Sequence, residues 1–243
     1  MPTKWYNGTI TDIQDMSPTT RQFVVNVDGD GEGFDFLPGQ FVTIDLPVSE
    51  KRLHRWRSYS IANDPDGSNV LEFCIVRSEE GLGTKYLFDE AQIGTILKFK
   101  GPDGGFVLPA DLTKDIIMVC TGTGVAPFRS MVRHVISQEM DFNHIHLIFG
   151  TRYSQGILYQ EEFEKIKDEH PNFDYSIALS REHSQGVHHQ GYVHDVYMSR
   201  YQQVHPDRHF YICGWSQMID QAVAHLMIDL KYDKSQIHYE LYG

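Results

Sequence analysis

Cysteine is scarce in this 243-residue chain, and the three present, Cys74, Cys120 and Cys213, lie far apart with no C-x-x-C spacing. That argues against a disulfide framework, a zinc site and an iron–sulfur cluster, which takes about four thiolates. Positive charge is also in deficit: 21 Lys and Arg stand against 33 Asp and Glu, a formal net charge of −12. Phosphate backbones require the opposite balance, which argues against nucleic-acid binding by the chain as a whole. Long apolar runs are missing too. None approaches the roughly 20 residues that span a bilayer, and the start, MPTKWYNGTI, lacks the apolar segment of a signal peptide. The expectation is a soluble, cytoplasmic protein of one large or two small domains.

The stretch 116–130, IIMVCTGTGVAPFRS, is rich in turn chemistry. An apolar run breaks at Gly122-Thr123-Gly124-Val125 and resumes with helical periodicity around Pro127, which reads as strand, glycine turn, helix. Such a turn leaves backbone N–H groups at the positive end of a helix, where a phosphate binds best, and glycine lets an anion approach. Pro127 fits a first helical turn, since its missing N–H would be unpaired there. A third fingerprint glycine is lacking, because G-x-G-x-x-G would need it at Pro127. The turn alone is therefore either a nucleotide cradle or a tight connection.

Residues 10–109 alternate in short runs separated by Gly/Pro turns, which predicts a small antiparallel β-barrel. RQFVVNVDGDGEGFDF reads as a hairpin, with Phe34 and Phe36 on its return strand; Asp28-x-Asp30-x-Glu32-Gly33 opens like a calcium loop but has Gly39 where the twelfth-position Glu belongs. The one helical candidate in this half is GLGTKYLFDEAQ. From Thr113 the rhythm becomes strand–helix alternation, the pattern of a doubly wound parallel sheet. Strands are expected near 116–120, 145–150, 173–179, 210–213 and 237–242, and helices near 126–137, 159–168, 194–201 and 217–230. The domains are thus 1–111 and 112–243. Ligands in such sheets bind at the carboxyl ends of the strands, so Gly122, Thr151-Arg152, Ser180-Arg181 and Cys213-Gly214 should converge. An acidic residue after the second strand, the mark of an NAD site, is lacking. Arg152 and Arg181 stand at strand ends instead, and paired guanidinium forks suit a 2′-phosphate, hence NADP, unless they pair with Glu161 or Glu182.

Taken in order, these motifs resemble the ferredoxin–NADP reductase family. Arg57-Ser58-Tyr59-Ser60 is similar to its flavin signature R-x-Y-S, and Gly81-Leu82-Gly83-Thr84 to its flavin diphosphate motif. Gly101-Pro102 and Phe106 resemble the turn that follows, and the 116–130 stretch resembles its pyridine-nucleotide cradle. Ser180-Arg181, Tyr192, Cys213-Gly214 and Glu240-Leu241-Tyr242 resemble its 2′-phosphate pair, adenine-side tyrosine, C-G turn and C-terminal E-x-Y.

The resemblance implies an N-terminal FAD-binding β-barrel and a C-terminal NADP-binding α/β domain, with FAD rather than FMN. Arg57 and Thr84 would hold the flavin pyrophosphate, Tyr59 the isoalloxazine or ribitol, and Ser60 would face flavin N5. Cys74, Ile75 and Val76 belong to the strand that backs the flavin. Cys213 would stand near nicotinamide C4, and Tyr242 would stack where nicotinamide must sit, with Glu240 beside it. Three departures are visible: Gln190 replaces a Lys before the adenine-side tyrosine, Val76 replaces a basic residue, and Gly243 follows the stacking tyrosine.

The implied activity is hydride exchange between NADPH and FAD and single-electron exchange with ferredoxin or flavodoxin. Alternatives are a reductase component feeding an oxygenase and a flavin-carrying subunit of a larger complex. The basic run KRLHRWR would dock the acidic carrier, or be a solvated strand edge. His183, His188, His189 and His194 read as a polar loop without metal, and the chain as a monomer.

Overall fold

Alternation of apolar and polar residues makes strands that are buried on one face, and the computed structural model, which describes residues 4–29, 33–183, 186 and 188–242, forms six of them in the first half. They are β1 (Trp5–Ser17), β2 (Thr20–Val27), β3 (Phe41–Asp45), β4 (Trp56–Ser60), β5 (Val70–Val76) and β6 (Ile96–Asp103). All pair antiparallel in the order β4-β3-β6-β1-β2-β5. Ile61, just past β4, bridges Phe73 of β5 and so joins the two ends of the sheet into a barrel. In β3, Val42 and Ile44 point into a core shared with Phe23, Phe73 and Phe99, and each of these five is at most 1% exposed.

Two readings of this half need correcting. The hairpin over 21–36 does not form: β2 pairs with β1 and β5, and residues 33–40 carry no strand. Phe34 and Phe36 are nonetheless buried, Phe34 edge-on to Tyr6 and Phe99, so apolar burial rather than strand pairing explains their spacing. Asp30 and Glu32 of the calcium-like turn lie outside the described residues. The KRLHRWR run is a strand edge only in part: it holds a one-turn helix, α1 (Arg52–Arg55), and only its last two residues, Trp56 and Arg57, enter β4. The helical candidate is confirmed as α2 (Leu82–Asp89).

The second half holds six parallel strands in the order β10-β9-β8-β7-β11-β12. These are β7 (Asp115–Thr121), β8 (His144–Thr151), β9 (Phe173–Leu179), β10 (His189–Gln190), β11 (Arg208–Trp215) and β12 (Ile237–Tyr242). β7 and β8 are buried along nearly their whole length, as expected for central strands covered on both faces. Helices α5 (Val193–Arg200) and α6 (Ser216–Ala224) cover one face over Ile117, Val119, Ile148 and Ile212. On the other, α4 (Gln160–Glu169) packs Phe163 against Phe173 and Tyr175. Helix α3 (Ala126–Ser137) has the bounds expected from sequence. The last helix is shorter than expected: its α form stops at Ala224 and a wider turn, His225–Asp229, completes it. The histidine loop is also not uniformly polar, because His194 lies buried in α5 with Nδ1 2.9 Å from the Tyr197 hydroxyl.

The described chain divides into two compact units, Met1–Leu108 with Ala126–His134, and Pro109–Val125 with Val135–Gly243. Within the first, Arg129 is buried, pairs with Glu72 at 2.5 Å and donates to the Ala62 carbonyl at 3.1 Å. Arg133 pairs with Asp64 at 2.7 Å. No helix among the described residues is long and apolar enough to cross a membrane.

Candidate functional site

In the first unit, Arg57 and Tyr59 lie on β4 opposite Ile44 and Val42 of β3. The Arg57 stem runs past the start of α2: a Cβ on Gly83 would lie 3.2 Å from Arg57 Cγ and 2.9 Å from Leu46 Cδ1, so a side chain there would push both aside. The fold thus brings the R-x-Y-S and G-L-G-T motifs together. Arg57 Nη1 donates to the carbonyls of Leu53 (3.0 Å) and Trp56 (2.7 Å), while Nε and Nη2 bond no described residue. Gly81 caps α2 without a side-chain bond, which leaves first-turn N–H groups for an anion. A guanidinium edge beside an uncapped helix start fits a pyrophosphate.

The Thr84 hydroxyl is already engaged, accepting from Ser78 N at 3.1 Å and lying 3.2 Å and 3.1 Å from the Ser78 and Gly81 carbonyls. It closes the turn, a different duty from the direct phosphate contact expected. Ser58 is exposed and its hydroxyl lies 3.2 Å from that of Thr43; Ser60 is buried. Burial raises the Tyr59 phenol pKa and Arg57 pulls the other way. Cys74 and Ile75 are buried in β5, with Ile75 in the barrel core, while Val76 is half-buried opposite Thr20.

In the second unit, the strand β7 gives way to a tight helical turn, Gly122–Val125. The two glycines do different work. Gly122 has φ +53°, and a Cβ there would meet nothing within 4 Å, so it faces open space. Gly124 instead abuts the end of β11: its Cβ would lie 2.4 Å from the Cys213 carbonyl oxygen and 3.0 Å from Gly214 Cα. The expectation that both glycines admit an anion is therefore refined to Gly122, with Gly124 serving close packing. Thr121, unremarked in the sequence, has a buried hydroxyl with no hydrogen-bond partner among the described residues, and a Cβ on Gly214 would lie 2.6 Å from it. An orphan hydroxyl at the head of an open glycine turn fits a nucleotide phosphate cradle. Pro127 falls in the first turn of α3, as expected.

Cys213 is opposite Glu240 in the β11–β12 pairing and opposite Cys120 in the β11–β7 pairing. Burial pushes its thiol pKa well up, Glu240 and Cys120 add to this, and a hydrogen bond from the Tyr242 side chain opposes it. The thiol is thus protonated, a small neutral group and not a nucleophile. Cys213, Glu240 and Tyr242 lie together at the ends of β11 and β12; Gly243 lies outside the described residues.

At the ends of β8 and β9, Ser180 N donates to the Thr151 carbonyl and Arg181 N to the Arg152 carbonyl, both at 3.0 Å. Arg152 and Arg181 therefore stand level on neighbouring chains. Among the described residues neither guanidinium has a hydrogen bond or ion pair, and Glu182 is bonded to Ser154 N instead, at 2.7 Å. Tyr192, 66% exposed, begins α5, and Gln190 bonds His183 at 2.9 Å.

The sequence also left a basic aromatic patch on the barrel unremarked. Trp5 and Trp56 meet edge-on at 5.4 Å; Lys100 and Arg52 sit over the Trp56 ring at 4.9 and 4.8 Å, and Lys98 over Trp5 at 5.2 Å. The strict alternation of ILKFK was the available signal. Arg55 is not a free cation, since Asp45 holds it through two bonds of 2.8 and 2.7 Å.

Residues 7–108 match the family pattern of the oxidoreductase FAD-binding domain, and residues 118–224 that of the oxidoreductase NAD-binding domain. Ferredoxin–NADP reductase B of Sorangium cellulosum is 29% identical, over 98% of this chain and 97% of its own length. A ferredoxin–NADP reductase of Spirulina is 30% identical over 85% and 79%. The phenol hydroxylase P5 protein of Acinetobacter pittii is 28% identical over 97% of this chain but only 65% of its own length. Among solved structures, the Amycolatopsis cytochrome P450 reductase GcoB superposes with a TM-score of 0.88 at 25% identity, over 99% of this chain and 70% of that one.

Proposed function

The chain belongs to the ferredoxin–NADP reductase family of FAD- and NAD(P)-binding oxidoreductases, and from that premise we propose that it takes hydride from NADPH and delivers single electrons to a separate acidic carrier protein. The observation that carries this reading is the packing of Gly124 on Cys213–Gly214, with Tyr242 bonded to Cys213. It supports a reading in which the glycine turn would take a pyrophosphate beside a small neutral thiol at a neighbouring strand end. The domains would be 1–111 for FAD and 112–243 for NADP.

When bound, FAD would supply the chemistry that side chains lack, taking two electrons from a reduced nicotinamide and releasing them one at a time. Arg57, through Nε and Nη2, and the first-turn N–H groups of α2, Leu82 to Thr84, would hold its pyrophosphate, with the Thr84 hydroxyl shaping that turn. Tyr59 and Ser60 on β4, and Cys74–Val76 on β5, would orient its ring. Gly122–Val125 and Thr121 would hold the NADP pyrophosphate, Arg152, Ser180 and Arg181 the 2′-phosphate, and Tyr192 the adenine. Cys213 would admit the nicotinamide without steric conflict, and Tyr242, now bonded to Cys213, would be displaced as it arrives. Lys98, Lys100 and Arg52, bracing two tryptophans in a chain of net charge −12, would meet the acidic face of a ferredoxin or flavodoxin.

Similarity to an oxygenase component, the phenol hydroxylase P5 protein, supports a second reading, in which the electrons go to an oxygenase. The test of the shared core is direct. Purified chain should be yellow and should reduce ferricyanide with NADPH, whereas a colourless or inert preparation contradicts the proposal.

A further inference from the structure

Between the ends of β8 and β9, main-chain pairing runs on for two bonds, Ser180 N to Thr151 O and Arg181 N to Arg152 O. Parallel strand ends are prone to fray where the ladder stops, and here the ladder stops at the two arginines. A side chain takes over at that point. The Glu182 carboxylate accepts from Ser154 N at 2.7 Å, spanning the same gap from the β9 side to the β8 side. It does so at the first residue of the short turn Ser154–Gly156, which folds back so closely that a Cβ on Gly156 would meet Thr151 Oγ1 at 2.6 Å.

The choice of acceptor is informative. The Glu182 carboxylate, one residue from Arg181 and on the chain paired with Arg152, bonds neither arginine among the described residues. Its charge is used on Ser154, whose main-chain N–H and, after it, hydroxyl hold the carboxyl below the usual carboxylate range. The guanidinium forks are left for another anion.

We propose that Glu182 is a positioning residue for cofactor selectivity: by clamping Ser154 N it holds Arg152 and Arg181 as a level pair for the 2′-phosphate of NADP. This rests on the NADP reading above. It runs against the simpler expectation that a carboxylate beside a phosphate site repels the phosphate, and the two ideas differ in sign.

The test uses the full FAD-loaded chain and the variants Glu182→Ala and Glu182→Gln. A charge-assisted bond to a main-chain N–H is worth enough that losing it should raise KM for NADPH by about 10-fold. The Ala variant should show that rise, with kcat at saturating NADPH within about twofold of wild type and KM for NADH little changed. The Gln variant keeps an oxygen acceptor for Ser154 N and should recover most of the loss. If Glu182→Ala lowers KM for NADPH, repulsion dominates and the proposal is overturned. It is equally overturned if NADPH and NADH move together, since that marks general loosening. Calorimetry with adenosine 2′,5′-bisphosphate and 5′-AMP separates this from failure of the underlying reading. A wild-type chain that binds the two alike has no 2′-phosphate site and refutes the NADP reading. A wild type that discriminates, with an Ala variant that discriminates equally, refutes the role of Glu182 alone.

Discussion

The division of labour between Gly122 and Gly124 can be tested by giving each a methyl group. In Gly124→Ala the new Cβ would sit 2.4 Å from the Cys213 carbonyl oxygen, whereas real Cβ atoms do not come below 3.0 Å of their neighbours. Both atoms in conflict belong to backbone, one in a helical turn and one in a strand, so neither gives way like a flexible side chain. The turn or the strand end must shift by at least ~0.6 Å, at a cost of about 1–3 kcal/mol. For a chain of this size that is a fall in Tm of roughly 3–10 °C. Gly122→Ala meets no atom within 4 Å but sits at φ +53°. The left-handed backbone costs about 1 kcal/mol, or ~2–4 °C.

Binding should rank the variants the other way. The Gly122 methyl would project into the open side of the turn, where the pyrophosphate is proposed to lie, and should raise KM for NADPH by about 10-fold or more. Thermal melts with FAD bound, paired with NADPH titrations, read both effects. A Gly124→Ala chain as stable as wild type, or a Gly122→Ala chain with unchanged NADPH affinity, would refute the reasoning.

Three further outcomes are expected. His146 is buried between the Tyr201 hydroxyl (2.6 Å) and Ser176 Oγ (2.8 Å), and burial, then Arg200, push its pKa down to about 3. The unfolded chain takes up this proton below about 6.5 and the folded chain does not, so stability is full above pH 6.5 and falls by roughly 1.4 kcal/mol per pH unit toward pH 3; a Tm drop from pH 7 to pH 5 that is just as large in His146→Gln would contradict this. Arg129→Met leaves the part-buried Glu72 with Gln22 as its remaining side-chain partner and should cost about 1–3 kcal/mol in denaturant unfolding; a loss below about 0.5 kcal/mol would show the pair to be idle. Reversing Lys98 and Lys100 to Glu should slow reduction of an acidic carrier at low salt while sparing a neutral quinone acceptor, and unchanged carrier rates would move docking elsewhere.

Where a segment's own periodicity decided its structure, the sequence was legible. The bounds of α3, β9 and β12 follow from local patterns, and the order of motifs identified the family with its FAD-binding and NAD-binding domains. What escaped was set by partners distant in the chain. Phe34 and Phe36 alternate like a strand because Tyr6 and Phe99 need filling, not because a partner strand exists. Gly124 looked like a phosphate glycine because nothing local shows that Cys213, far along the chain, packs against it. Thr84 and Arg55 have the right chemistry for ligands, but Ser78 and Asp45 engage them first. Glu182 was weighed as an ion-pair partner, and its actual acceptor role depends on where the β8 turn ends.

The ends of β7, β8, β9 and β11 are proposed to recognise NADP through Arg152 and Arg181, whose guanidinium groups have no partner among the described residues. The ratio of kcat/KM for NADPH to that for NADH, measured on the FAD-loaded chain with a single electron acceptor, tests it most directly. NADPH should be favoured by about 10-fold or more; an equal or higher kcat/KM with NADH would contradict the account.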